Sequence, residues 1–316
     1  MATTKKYTNV PELSLKTYIN GSDEERADLC KQLWDGFKYF GFIILKDHPI
    51  STDLLDKSYA MSKTFFDLPE EVKRKYTGVG GGQRGYTPFG TENAKGNAHP
   101  DLKEFWHIGR DLEPDNENYS RIPKNLWPEE VQEFQKTFQS LFKALDDTGK
   151  VMLEALTPSL DVAKDYFTKM TQDGDTKLRL LHYPPIPENA DPNCVRAAAH
   201  EDINLITVLV AATQTGLELL DRDGKWLPVE TDANNLIVDA GDMLARITND
   251  IIPATTHRVV NPAGENVSRY SMPFFIHPHP DAVLKCIPSC IGEGAKYPEI
   301  TAHDCLMQRL REIGLM

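Results

Sequence analysis

The chain has 316 residues, 40% of them hydrophobic and 26% charged, with 20 glycines and 21 prolines, a composition that excludes wholesale disorder, collagen and coiled coil. A formal net charge of −12 repels phosphate backbones and argues against a nucleic-acid partner, and no apolar run approaches the ~20 residues that span a bilayer, so no membrane partner is expected. Residues 1–11 have neither an apolar signal core nor an Arg-rich transit pattern, and Cys30, Cys194, Cys286, Cys290 and Cys305 are scattered, so the expectation is a cytoplasmic protein with free thiols.

In chain order, Ser22 with Glu25 three residues on predicts a capped helix over 22–39, with Leu29, Leu33, Trp34 and Phe37 as its apolar stripe. Gly41 ends it, and Phe42–Leu45 reads as a buried strand. A second helix is predicted over 51–66. Residues 78–98 are rich in glycine and read as a loop, either a mobile lid or an inert surface segment. No Lys-Ser/Thr follows to make it a phosphate cradle. Val131, Phe134, Phe138, Leu141, Phe142, Leu145 and Val151 predict a long scaffold helix over 129–156. From 177 onward short β-rich runs alternate with turns: 177–183, 205–211, 217–220, 236–239, 257–260 and 269–276. Asp221-Arg222-Asp223-Gly224 predicts a hairpin turn. The tail from 301 to 313 turns helical. Many short strands imply a sandwich or jelly roll.

Within the β-rich region, His200-Glu201-Asp202 places an imidazole and a carboxylate on one face if the segment is a strand. His-x-Asp is common by chance, and it needs a third ligand. His257, at the start of another predicted strand, supplies one. Two histidines and a carboxylate cover three positions of an octahedral ion and leave three open, the arrangement of non-haem Fe(II) oxygen chemistry. Arg269 and Ser271 share a strand face, and a guanidinium beside a hydroxyl suits a carboxylate. The flanking Met272–Ile276 run is apolar, so Arg269 is expected to be buried and to need an anion. Tyr183, before Pro184-Pro185, is either a third contact to that anion or a core tyrosine. His277-Pro278-His279 lacks an evident third ligand, Cys286-x-x-x-Cys290 lacks the partner pair of a zinc site, and His48 and His182 read as structural imidazoles.

His200-x-Asp202, His257 and Arg269-x-Ser271 follow in the order and spacing of the isopenicillin N synthase-like branch of Fe(II)/2-oxoglutarate-dependent dioxygenases, which the chain resembles from about Asp23 to Asp281. Ala240-Gly241-Asp242-Met243-Leu244 through Thr256–Val260 looks like the family's strand pair leading to its distal histidine. Phe40-Gly41-Phe42 to Ile50, with Phe65–Pro69, is similar to its amino-terminal domain. Leu181 stands where many plant members carry the Asn of Asn-x-Tyr.

The resemblance implies a mixed α/β, mainly β fold. Its core is a double-stranded β-helix (jelly roll), with an amino-terminal α/β portion over 1–125 and the long helix plus catalytic domain over 126–316. It implies Fe(II) on His200, Asp202 and His257, 2-oxoglutarate on Arg269, Ser271 and Tyr183, O2 as oxidant, and a small organic molecule hydroxylated at a C–H bond with release of succinate and CO2. Arg84, Tyr86, Phe105 and His107 lie where the resemblance places substrate contacts, and a plain packing role is the other reading for each. A related oxidase that does not use 2-oxoglutarate, and a non-catalytic β-barrel that binds a metal and a carboxylate, are the alternatives. Substrate identity and oligomeric state are open at this level.

Overall fold

Two β-sheets face each other across an apolar interior, and helices cover the outer face of the larger one. The computed structural model describes residues 9–78, 83–92, 99–116 and 118–312. In chain order come β1 (Glu12–Ser14), α1 (Leu15–Asn20), α2 (Asp23–Phe40), β2 (Phe42–Lys46), α3 (Thr52–Phe66), α4 (Glu70–Lys73), β3 (Gly85–Thr87) and β4 (Glu104–Gly109). The long α5 (Phe134–Leu160) and short α6 (Tyr166–Thr171) follow. Then come β5 (Lys177–Tyr183), β6 (Ala197–His200), β7 (Ile206–Val210), β8 (Leu217–Leu220), β9 (Trp226–Pro228), β10 (Leu236–Ala240) and α7 (Asp242–Ile247). The chain finishes with β11 (His257–Val259), β12 (Arg269–Ile276), β13 (Val283–Leu284), β14 (Ile300–Thr301) and α8 (Ala302–Glu312).

The major sheet runs β1-β2-β10-β7-β12-β5-β4-β3 and the minor sheet β6-β11-β8-β9, the opposed pair of a double-stranded β-helix. Strand alternation divides the core in two. Tyr270, Met272, Phe274 and Ile276 of β12 point outward to the helices, where Phe142 of α5 meets Phe274 edge-on at 4.8 Å between centroids. Phe274 is fully buried, a burial that stabilises by roughly 1.5–3 kcal/mol. Phe42, Phe105, Leu181, Leu209 and Ile237 point inward and join Leu219 and Val259 of the minor sheet. The 125/126 division falls between β4 and α5, and strands from both sides of it share the major sheet.

Local chemistry explains the element ends. Ser22 and Glu25 form a reciprocal capping box on α2, and Gly41 closes that helix in the left-handed region at φ 67°. Asp221 accepts from the backbone N–H of both Asp223 and Lys225, fixing the predicted hairpin between β8 and β9. The long helix begins at Phe134 rather than 129, because Glu133 takes φ 61° and breaks the run. Val131 is buried as part of the stripe while lying outside the helix. Residues 240–256 contain α7, not only the strand pair suggested by the resemblance. Of the glycine-rich stretch 78–98, residues 79–82 and 93–98 lie outside the described residues, and with them the lid expectation. All five cysteines are buried and free. Among the described residues no helix is long and apolar enough to cross a membrane.

Candidate active site

β6 and β11 pair antiparallel with His200 opposite His257, so both imidazoles project from one face of the minor sheet, their ring centroids 4.4 Å apart. Asp202 arrives by a different route from the one expected. β6 stops at His200, and Asp202 sits in the turn beyond it, its carbonyl accepting from the Asp242 N–H at 2.8 Å. The turn, not strand alternation, sets Asp202 Oδ1 3.9 Å from His200 Nε2 and 4.0 Å from His257 Nε2. Donors spaced this way can close on a single ion about 2.1 Å from each. With Nδ1 protonated, each ring donates to a carbonyl two residues back: His200 to Ala198 at 2.7 Å and His257 to Thr255 at 3.1 Å. That tautomer turns the Nε2 lone pairs toward Asp202. Burial, and the His257 ring beside it, push the His200 pKa down to about 4, with Asp202 opposing, so the ring is neutral near pH 7.

The second oxygen of Asp202 is held from behind. The Thr207 hydroxyl donates to Asp202 Oδ2, and Asn204 Nδ2 donates to Thr207 Oγ1 at 2.8 Å. Thr207 lies opposite Asp239 in the β7–β10 pair, and burial plus the charge of Asp202 push the Asp239 carboxyl well up. Gly241 packs on this group so closely that a Cβ there would run into Asn204.

At the other end of the interior, β12 pairs with β5 so that Arg269 faces Tyr183 and Ser271 faces Leu181. Arg269, Ser271 and Tyr183 are all buried. Arg269 Nε donates to the Gln214 carbonyl at 3.1 Å, and the guanidinium lies 5.1 Å from the Tyr183 ring centroid. Arg269 Nη1 is enclosed and has no hydrogen-bond partner. Burial lowers the pKa of the guanidinium, with Tyr183 and Tyr59 opposing. An orphaned cationic N–H on an interior wall, beside a serine on the same strand face, fits a ligand carboxylate.

Comparison with known proteins agrees with this geometry. Residues 10–130 match the family described as non-haem dioxygenase in morphine synthesis N-terminal, and residues 175–278 match the 2OG-Fe(II) oxygenase superfamily. The 2-oxoglutarate-Fe(II) type oxidoreductase hxnY of Emericella nidulans is 33% identical over 309 residues, covering 94% of this chain and 88% of that protein. A 2OG-Fe(II) oxygenase family protein from Caulobacter crescentus superposes with a TM-score of 0.87 at 44% identity, covering 96% of this chain and 98% of the other. The chain belongs to the 2OG-Fe(II) oxygenase superfamily.

A full-length Neurospora crassa protein solved with alpha-KG and thymine superposes on this 2OG-Fe(II) oxygenase with a TM-score of 0.86 at 30% identity, covering 96% of each chain. The protein is accordingly an Fe(II)- and 2-oxoglutarate-dependent oxidoreductase, and the two interior features fit its two cofactors: three ligand atoms for a metal, an orphaned arginine N–H for a carboxylate.

The four residues expected near substrate separate into two pairs. Arg84 and Tyr86 are not brought to the interior face. Arg84 is fully enclosed, and its three nitrogens go to the Pro123 carbonyl, the Gln83 carbonyl and Asp175. Tyr86 donates to Glu104 within a buried group that also holds Lys73 and His182. Both are committed to internal partners. Phe105 and His107, opposite Leu181 and Arg179 in the β4–β5 pair, do face inward.

Sequence reading missed the rest of that wall. Arg179 lies over the Phe105 ring at 4.2 Å and the Phe275 ring at 5.4 Å, donates to His107 Nε2 at 2.7 Å and pairs with Glu92 at 3.2 Å. Phe275 continues the inward parity of Arg269 and Ser271 along β12, a signal present once the strand's phase is fixed.

Proposed function

We propose that His200, Asp202 and His257 hold the Fe(II), that Arg269, Ser271 and Tyr183 hold the distal carboxylate of 2-oxoglutarate, and that the enzyme hydroxylates a C–H bond of a small organic molecule. The observation that carries this reading is the set of three ligand atoms within 4.8 Å of one another on the inner face. Fe(II) held there, with 2-oxoglutarate and O2, would supply the oxidant, the overall reaction leaving one oxygen atom in the hydroxylated product and the other in succinate, with CO2 released. The chain's own residues bind and orient. Ala198 and Thr255 carbonyls fix both imidazoles, Thr207 fixes Asp202, and the apolar cluster around Phe42, Leu181 and Leu209 keeps water from the interior. Phe105, His107, Arg179 and Phe275 form the wall that meets the substrate in this reading. Free buried cysteines support a cytoplasmic setting, and the ligand order supports the isopenicillin N synthase-like branch.

Single replacement of His200, Asp202 or His257 by Ala should remove iron binding and 2-oxoglutarate turnover while far-ultraviolet circular dichroism stays unchanged. Full iron occupancy in His257→Ala would sink the assignment. Substrate oxidation without succinate release would move the reading to an oxidase that does not use 2-oxoglutarate.

A further inference from the structure

Away from the iron face, a second group of metal-ligating side chains comes together. His99, Asp191 and Cys194 each offer one donor atom, and the three atoms lie within 4.8 Å of one another. His99 Nδ1 is 3.0 Å from Asp191 Oδ2. The geometry is held from both sides. Asp191 Oδ1 accepts from Asn193 N and Asn193 Nδ2, both at 2.9 Å, which leaves Oδ2 aimed at His99. The Cys194 N–H donates to the Asp191 carbonyl at 2.9 Å, and the Cys194 carbonyl accepts from Asn261 Nδ2 at 3.0 Å. A tight Asp-x-x-Cys turn therefore presents a carboxylate and a thiol together, and a histidine from a distant segment meets them.

We propose that His99, Asp191 and Cys194 form a second metal site, and that its ion is zinc. Tetrahedral zinc, about 2.0–2.1 Å from N and O and about 2.3 Å from S, needs donors spaced roughly 3.3–3.7 Å apart. The three donor atoms lie within 4.8 Å of one another, with His99 Nδ1 and Asp191 Oδ2 at 3.0 Å. A thiolate with an imidazole excludes Mg and Ca, which take oxygen donors, and one carboxylate with one imidazole suits a borderline ion. Cys194 is buried, whereas the His99 and Asp191 side chains are 38% and 45% exposed, so the fourth position opens to water. Burial, then Asp191 and Asp101, raise the Cys194 pKa, so the free protein keeps the proton. Zinc would replace it: the S–H bond breaks, the proton leaves to solvent and the sulfur lone pair enters the Zn–S bond.

The position assigns the site a bracing role. Leu102 N–H donates to the Val195 carbonyl, and Ala198 N–H donates to Asp101 Oδ1, each at 2.9 Å. A metal at 99, 191 and 194 would clamp the same two segments, immediately before the strand that ends in His200.

Cobalt(II) tests this, because a thiolate–cobalt bond gives a near-ultraviolet charge-transfer band and the His200–Asp202–His257 face contains no sulfur. The chelator-treated full chain should develop a saturable thiolate band with Co2+, and Zn2+ should bleach it. The band should persist in His200→Ala, vanish in Cys194→Ser, and need about tenfold or more Co2+ in His99→Ala. The Fe(II)–2-oxoglutarate band of Cys194→Ser should be retained, showing that the fold and the iron face survive. No thiolate band in the unmodified protein, an unchanged band in Cys194→Ser, or unchanged Co2+ affinity in His99→Ala each overturns the site.

Discussion

The guanidinium of Arg269 lies 5.1 Å from the centre of the Tyr183 ring, directly across the β12–β5 pair, with one of its terminal nitrogens enclosed and unpartnered. A cation in that state binds an anion strongly, and removing it strands the anion. Loss of a buried charge-assisted contact costs about 2–5 kcal/mol. At 1.4 kcal/mol per tenfold, Arg269→Ala should weaken 2-oxoglutarate binding by roughly 30-fold to several thousand-fold. Iron affinity should barely move. Arg269→Lys should recover part of the loss, since it keeps charge but not the planar fork. Anaerobic titration of the Fe(II)–2-oxoglutarate charge-transfer band measures all three, and an unchanged dissociation constant in Arg269→Ala rejects the anchoring role.

Thr207 reaches the proposed iron only through Asp202. Its hydroxyl donates to the carboxylate oxygen that faces away from the two imidazoles. Thr207→Val keeps the shape and removes the donor. Groups that orient a ligand typically account for 10–100-fold in metal affinity. Competition with a chromophoric chelator should show iron affinity lowered by about that factor, with the 2-oxoglutarate affinity of the iron-saturated enzyme near normal. Asn204→Ala, one hydrogen bond further out, should have a smaller effect in the same direction.

How much of this was legible depends on what each signal encodes. The α2 capping box, the Gly41 terminator and the bounds of β5, β8 and β12 follow from local chemistry, and the expected elements match those observed. The ligand candidates were legible because His-x-Asp, His and Arg-x-Ser recur in order. The route of Asp202 was not, because a turn and a strand can deliver the same side chain, and the deciding bond comes from Asp242, forty residues away. For Arg84 the glycine-rich stretch left substrate contact and packing both open, and only the tertiary fold shows Asp175 and two carbonyls enclosing it. Arg179 was missed because an inward charge in a strand looks like an outward one until the strand's phase is known.

His277 should leave a mark on acid stability. Burial and the nearby Lys177 push its pKa down to about 4, against the opposing pull of Asp175 and Asp202. The unfolded chain takes up the proton near 6.5, so the native state is favoured above that value and loses the contribution as pH falls from 6.5 toward 4. Between pH 7 and pH 5 this one group should account for about 2 kcal/mol of lost stability. Urea denaturation with a chelator present should show a shallower pH dependence for His277→Asn by about that amount. Parallel pH profiles would mean that the histidine titrates normally.

Glu104 carries the last prediction. Its buried carboxylate accepts from Lys73 at 2.7 Å, from His182 at 2.7 Å and from Tyr86, and it joins α4, β3, β4 and β5 at one point. Those donors hold its pKa down against burial. Replacing Glu104 by Leu would leave Lys73, with 8% of its side chain exposed, as a buried cation without its main counter-charge. Exposed Glu70, 3.4 Å from the same ammonium, offers only partial compensation. Breaking one side of such a pair costs about 3–5 kcal/mol, whereas replacing both partners by apolar groups is often neutral. Glu104→Leu should therefore lower the urea midpoint strongly, and Lys73→Met added to it should restore much of the loss. Because no atom of this group faces the proposed iron, the Fe(II)–2-oxoglutarate affinity of the folded Lys73→Met/Glu104→Leu protein should match that of the unmodified enzyme. A double variant no more stable than Glu104→Leu alone would show that the carboxylate matters through Tyr86 and His182 rather than through the ion pair.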